Sequence, residues 1–451
     1  MSSPRAFAPE AFTVFALTGY DAVDGRIETH YALEGPDAEP IAFTEVFDFT
    51  ETGATGVPNP SLMRLLALSA CVSYYKMAAP STVEIRFPVA QFEVDYLAAV
   101  IRGGLGEFAY ENDLPDALVP TIAADRLRAD DAADERPRDW DIAAPPLVAV
   151  GGGKDSIVTI EALKAGGFAP VLFSVNQYQP IDDTIAVSGM ASVRVRRRLD
   201  PKIGELNSAG AYNGHIPVTA INSVVGLLAA DLMGLGSVIF SNEQSADIEN
   251  LVWHGFDINH QWSKSIVYET LLRATLAAYG MSSDRYFSLL RALPESEIAE
   301  RFKDHPEYFD VFISCNRSFA LDPTRRRARW CGECAKCLFV FVILAPRIEK
   351  ARLTEIFAVD PLDRPANLAL YRELAGLAKH KPFECVGDYA EVAEALVDLM
   401  DDDAWCDDEV VAELTGQRPR LHEIAADKAP IVGAGNVPAH YAKVFDALVS
   451  R

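Results

Sequence analysis

The apolar run Leu147-Val148-Ala149-Val150 leads directly into Gly151-Gly152-Gly153-Lys154-Asp155-Ser156, and an amphipathic stretch follows as far as Ala165, where Gly166-Gly167 ends it. A buried strand, a glycine loop and a helix in immediate succession leave few choices of fold. Glycines permit positive φ and a close backbone approach, so successive N–H groups and the helix N-terminus converge on an anion, most naturally a phosphate. The loop is not a Walker A loop, which needs two glycines four residues apart and then Lys-Ser/Thr, because here Asp155 follows Lys154. Nor does it fit a dinucleotide fingerprint, because the next strand, Val171 to Val175, runs into Asn176-Gln177 and not into an acid. A carboxylate inside a phosphate cradle repels the ligand unless a divalent cation bridges the two, so Asp155 leads us to expect Mg²⁺.

The same rhythm continues beyond the loop. Short β-branched runs at 147–150, 171–175, 192–196 and 237–240 alternate with amphipathic stretches such as TAINSVVGLLAADLMG. That alternation predicts an α/β fold, a parallel sheet with helices on both faces. Residues 1–126 mix alternating strands with one helical segment, Ser61 to Lys76, and read as an N-terminal α+β domain. Charge, Pro and a scarcity of apolar residues mark 127–146 as a linker; the alternating runs and the glycine loop make 147–346 the expected nucleotide-binding catalytic domain, and 347–451 reads as an acidic helical region with no catalytic-looking cluster. Three domains agree with a length of 451 residues at ~150 residues each.

Gly-Gly-x-Asp-Ser after a strand resembles the PP-loop of ATP pyrophosphatases, which cleave ATP between its α- and β-phosphates. The usual leading serine is Gly151 here, one hydroxyl donor fewer. Cys315, Cys331, Cys334 and Cys337, with Gly332 for a tight turn, have the spacing of a closed tetrahedral Zn²⁺ site. They resemble the zinc knuckle of PP-loop enzymes that make the nitrile of the queuosine precursor. The alternative is chemical, one or two of these thiols serving as the acid/base pair of a cofactor-free epimerase. Cys71, Cys385 and Cys406 stand alone in the sequence and read as buried apolar residues.

After the run 237–240 the chain becomes densely polar, from Ser241-Asn242-Glu243 through Asn250, His254 and Asn259 to His260 and Lys264. In a doubly wound sheet that is where a substrate sits. Two arginine groups, Arg194, Arg196, Arg197 and Arg198, then Arg325, Arg326, Arg327 and Arg329, could meet a diphosphate or carboxylates, or form a solvated charged face.

With loop, knuckle and polar segment together, AVGGGKDS at 149–156, SNEQSA at 241–246, INHQWSKS at 258–265 and CGECAKCLFVFVILAP at 331–346, the chain is similar to the MurL family of ATP-dependent epimerases of bacterial peptidoglycan synthesis. The resemblance implies inversion of the terminal glutamate of UDP-N-acetylmuramoyl-L-alanyl-L-glutamate through an acyl-adenylate, with ATP converted to AMP and diphosphate. It implies that Gly151, Gly152, Gly153, Lys154, Asp155 and Ser156 hold the ATP phosphates, with Asp155 on Mg²⁺ and Lys154 on the pyrophosphate. By analogy with PP-loop folds Ser174 and Val175 are expected to line the adenosine pocket, and position and residue type make His260, Lys264 and Glu243 the candidates for proton transfer or enolate stabilisation.

A net charge of −24 argues against nucleic acid or an anionic membrane as partner, leaving the UDP-sugar dipeptide and ATP as small-molecule ligands. Two alternatives are a PP-loop enzyme modifying tRNA or a nucleobase, whose tRNA-binding form the same charge weighs against, and a nucleotide sensor that binds ATP without cleaving it. The odd cysteine count, the lack of an export signal and an apolar run (Leu338 to Ala345) too short for a bilayer lead us to expect a cytoplasmic protein.

Overall fold

The structure, a computed structural model, describes residues 7–128, 139–320, 324, 326–378, 381–428 and 435–450. Much of the expected linker, and Arg325, lie outside these residues. The strands described are, in chain order, β1 (Val14–Val23), β2 (Arg26–Gly35), β3 (Ala38–Asp48), β4 (Thr82–Ile85), β5 (Thr121–Ala124), β6 (Leu147–Ala149), β7 (Val171–Val175), β8 (Ser192–Arg198), β9 (Val238–Phe240), β10 (Leu251–Trp253), β11 (Phe256–Ile258) and β12 (Tyr286–Ser288). Among the described residues ten of them form one sheet in the order β12-β9-β6-β7-β8-β3-β2-β1-β4-β5, and β10 and β11 make a separate hairpin.

The half β12-β9-β6-β7-β8 is parallel throughout. Counted from β6 its order is 5-4-1-2-3, the doubly wound arrangement, and the direction of winding reverses between β6 and β9. Helices cover both faces, as the alternation of runs predicts. Along each short strand, neighbouring residues enter different cores: Leu147, Phe173, Val238 and Tyr286 face one, Val148, Leu172, Ile239 and Phe287 the other. The first core is closed by helices Pro60–Ala70, Gln91–Gly104, Val218–Met233 and Ile266–Ala278. The second is closed by Lys154–Ala165, Ala335–Leu344 and Tyr389–Met400. The N-terminal segment and the C-terminal region therefore clamp one sheet from opposite sides. The apolar run Leu338 to Ala345 lies in this core, and among the described residues no helix is long and apolar enough to cross a membrane.

The division drawn at 127–146 is crossed by the sheet. β3 pairs antiparallel with β8 (Phe47 opposite Arg197) and joins the N-terminal strands to the doubly wound half. Three of the first arginine group form this seam: Arg197 pairs with buried Glu45 and bonds to Ser73 Oγ at 2.8 Å, Arg196 pairs with Glu51, and Arg198 stands 3.8 Å from Asp48, while Arg194 pairs with Asp182 within the doubly wound half. The carboxylates these guanidinium groups meet belong to the chain itself.

Candidate active site

The glycine loop leaves the carboxyl end of β6 beside the point where the winding reverses, the place where open α/β sheets hold ligands. Gly152 has φ +76°, and a Cβ there would stand 3.2 Å from the Pro180 carbonyl, so only glycine fits. Ile313 N–H donates to the Gly152 carbonyl at 2.8 Å and pins the loop. Gly151, in contrast, is exposed, and a Cβ there would meet nothing within 4 Å. The loop is gripped on one side and open on the other.

Lys154 begins the helix and turns inward. Its buried Nζ bonds to Asp155 Oδ1 at 2.5 Å and to Glu295, while Lys336 Nζ lies 4.0 Å from the other Glu295 oxygen. Burial acts to raise the pKa of Asp155, but Lys154, Lys336 and Lys264 overcome it and hold the carboxyl below its ordinary range. Ser156 Oγ donates to the Gly153 carbonyl at 3.0 Å. Ser174, near the end of β7, is buried, and its Oγ finds no hydrogen-bond partner among the described residues; Val175 beside it is half-buried. The hydroxyls of Ser241 and Ser245, beyond the end of β9, are likewise unpartnered. Orphaned hydroxyls thus flank the loop on both sides.

The polar segment after β9 folds by satisfying itself. Asn250 Oδ1 accepts from His260 N–H at 2.9 Å, and Asn259 donates to the Ala246 carbonyl at 2.9 Å. His254 and Gly255, both at positive φ, turn the β10–β11 hairpin, so His254 stands in a turn. Arg291, fully buried, donates to the carbonyls of Glu243 (3.0 Å) and Lys264 (2.6 Å) and to Glu269 (2.9 Å). It thereby fixes two of the expected site residues on one support. Glu243 is buried; burial, then Glu295, Glu391 and Asp155, push its carboxyl up to about 8, against a bond from Ser245 N–H. Asp155, Glu243 and Lys264, 109 residues apart at the extremes, therefore act on one another in a single crevice.

His260 bonds through Nδ1 to Glu107, with His215 Nδ1 3.9 Å from the same carboxylate. Gly103 and Gly104 make this approach possible. A Cβ on Gly103 would lie 2.2 Å from the Trp262 ring and one on Gly104 2.5 Å from Pro217, so the helix carrying them closes onto the polar segment and Glu107 follows. Burial acts to lower the pKa of His260, but hydrogen bonds to Cys385 and Glu107 raise it to about 9. Burial, His260 and Lys264 lower His215 to about 3.

Two expectations are corrected here. Cys385 is not an isolated apolar residue: its Sγ lies 3.0 Å from Lys264 Nζ, and Lys264 and His260 both act on its thiol electrostatically. The C-terminal region does contribute to the site, because the loop carrying Lys381, Glu384 and Cys385 enters the crevice. Glu384 accepts from Lys336 N–H (3.1 Å) and from Asn316 (3.0 Å), which holds this loop against the cysteine knuckle. A cysteine flanked by Lys381-Pro382 and Gly387-Asp388 reads as loop and not as core, which was the available signal. Glu107, Glu295, Arg291 and Lys336 have no local sequence signal. Cys71 is a buried thiol on the Leu68 carbonyl.

Cys315, Cys331, Cys334 and Cys337 bring their sulfurs within 4.8 Å of one another, with Cys331 and Cys337 3.5 Å apart. Tetrahedral thiolates around one Zn²⁺ stand about 3.8 Å apart, so the donor set fits that ion. Gly332 has φ +66°, where a Cβ would lie 2.6 Å from Val359. Of the second arginine group, Arg326 bonds to the Ala320 carbonyl at 2.8 Å and stacks over Tyr178.

Fold and crevice place the chain among doubly wound α/β proteins that receive a ligand where the winding reverses. Residues 6–289 match the MurL N-terminal domain and residues 311–429 the MurL C-terminal domain. The chain belongs to the MurL family. It is 42% identical over 449 residues to the UDP-N-acetyl-alpha-D-muramoyl-L-alanyl-L-glutamate epimerase of a Micromonospora species, covering 97% of this chain and 98% of that one. To the protein of the same name from Salinispora tropica it is 42% identical (97% and 96% covered), and to that from Xanthomonas oryzae 37% (88% and 87%). No solved structure matches the chain.

Proposed function

We propose that the chain inverts the terminal L-glutamate of UDP-N-acetylmuramoyl-L-alanyl-L-glutamate in peptidoglycan precursor synthesis, with ATP converted to AMP and diphosphate. The relatives' names supply the substrate. The observation that carries the chemistry is that the glycine loop shares one crevice with Glu243 and Lys264. The doubly wound order, the open face at Gly151 and the unpartnered hydroxyls of Ser174, Ser241 and Ser245 support a PP-loop nucleotide site, phosphates over 151–156 and adenosine against Ser174 and Val175.

An α-hydrogen beside an ionised carboxylate is very weakly acidic, because the carbanion would place a second negative charge next to the first. Transfer of AMP to a carboxylate oxygen, with diphosphate leaving, removes that charge. The enolate then carries its charge on oxygen, where fixed donors can meet it. Asp155, held ionised, would bind Mg²⁺, which when present screens the phosphate oxygens from the loop carboxylate. Lys154 orients Asp155. His260 and Lys264, kept cationic by the anions around them, stabilise the enolate oxygen. Glu243, protonated up to about pH 8, is a proton donor. Water is kept from the acyl-adenylate until inversion is complete, and then cleaves it to AMP and the free acid. The four-cysteine knuckle would hold a structural Zn²⁺ that fixes Lys336.

The test is to incubate the protein with ATP, Mg²⁺ and the UDP-sugar dipeptide in D₂O. AMP, D-glutamate and deuterium at its α-carbon should appear together. D-glutamate without AMP rejects the nucleotide step; AMP without deuterium or D-glutamate rejects the epimerase.

A further inference from the structure

Lys264, used above as a cation, ends on a sulfur. Its Nζ is 3.0 Å from Cys385 Sγ, and His260 acts electrostatically on the same thiol. Charged groups from three segments act on this thiol: Lys264 and His260 from the polar segment, Lys336 from the start of its helix, and Lys381 and Glu384 from its own loop. The Glu384 carboxylate is engaged by Lys336 N–H and Asn316. Cations therefore dominate around a side chain that elsewhere behaves as a small hydrophobe, and enclosing so many of them is costly unless an anion offsets them.

We infer that the Cys385 thiolate is the base that takes the α-proton of the activated glutamate. This rests on the function proposed above and adds a residue to it. The Cα–H bond breaks and its proton goes to Sγ, giving the thiol, while the electron pair moves into the Cα–C bond and leaves the enolate charge on the acyl oxygen. The Glu243 carboxylic acid returns a proton to the opposite face of Cα and is left as carboxylate. Both side chains then exchange protons with water. The two environments are opposed in the required sense. Burial would raise the Cys385 thiol, but Lys264, His260 and Lys336 hold it well below its ordinary value, whereas Glu243 is pushed up.

Cys385→Ala and Cys385→Ser decide the matter when first-turnover diphosphate release, which reports formation of the acyl-adenylate, and α-deuterium uptake are measured separately. We expect the substrate-dependent first-turnover release of diphosphate to stay within about threefold of wild type while deuterium uptake falls about 10²–10⁴-fold, the usual contribution of a general base. Deuterium uptake near the wild-type rate, or loss of first-turnover diphosphate release in parallel, overturns the assignment. A second measurement needs no variant: iodoacetamide alkylation of the wild-type protein, followed at the Cys385 peptide by mass spectrometry. Between pH 8.5 and 6.5 an ordinary thiol slows about 50-fold, and a cation-held thiolate slows less than about threefold. A fall of about 50-fold at Cys385 overturns the inference. Wild-type protein that releases no AMP, while Cys385 still alkylates at low pH, places the fault in the proposed function and not in the thiolate.

Discussion

The two ends of the crevice are built from the same materials with opposite balance. At the glycine loop one buried lysine, Lys154, is shared by two carboxylates, Asp155 and Glu295. At the other end one sulfur, Cys385, faces Lys264, His260 and Lys336. The first is short of positive charge and calls for a bridging cation; the second holds an anion among cations and stabilises further negative charge. In a chain of net charge −24, attraction for an anionic substrate is thus a local property of a few side chains. The contrast also separates the two halves of the proposed chemistry, activation at one end and proton transfer at the other.

The largest effect that would break this separation is at the anion-rich end. Asp155→Ala should lower substrate-dependent AMP release by at least ~10³-fold, since the metal-holding charge is lost, while thermal unfolding shifts by a few degrees at most. AMP release at the wild-type rate would remove Asp155 from the nucleotide site. Next in size is the knuckle that props Lys336 between both ends. Cys334→Ser, or a strong chelator, should lower the midpoint of thermal unfolding by roughly 10 °C, as expected for a structural metal worth several kcal/mol. Purified protein with no zinc by elemental analysis and an unchanged midpoint would return the four thiols to the acid/base alternative.

What could be read from the sequence follows from how local each feature is. The runs at 147–150, 171–175, 192–196 and 237–240 became strands because short β-branched segments between helices have little else to do. β12 was missed, since Tyr286-Phe287-Ser288 is too short to announce itself, and so was the β3–β8 seam, which joins residues about 150 positions apart through charged side chains. The glycine loop and the cysteine spacing are local motifs and were visible. Glu243, His260 and Lys264 were visible as polar density, without their partners. Cys385 meets Lys264 across 121 positions and Glu107 meets His260 across 153, and no periodicity or spacing connects them.

Smaller effects sharpen the cation-rich end. Lys264→Met removes the ammonium in contact with Cys385, so the thiol should move back toward its ordinary value and the midpoint of its alkylation–pH profile should rise by about one pKa unit. An unchanged midpoint would show that His260 and Lys336 suffice and that Lys264 serves the enolate alone. The smallest effect belongs to Glu107→Gln. Because His260 is raised from 6.5 to about 9 in the folded protein, its charged form stabilises the fold fully below pH 6.5, and that stability is lost as pH rises through 9. The whole shift corresponds to at most about 3.4 kcal/mol, and Cys385 accounts for a share of it. Glu107→Gln should therefore flatten the fall in unfolding free energy between pH 6.5 and 9 by about 1 kcal/mol, measured by denaturant titration at several pH values. An unaltered slope would assign the histidine's charge to the sulfur alone and leave Glu107 as a prop for the ring, which would make the thiolate and the imidazolium one ion pair and not links in a chain reaching to the N-terminal helix.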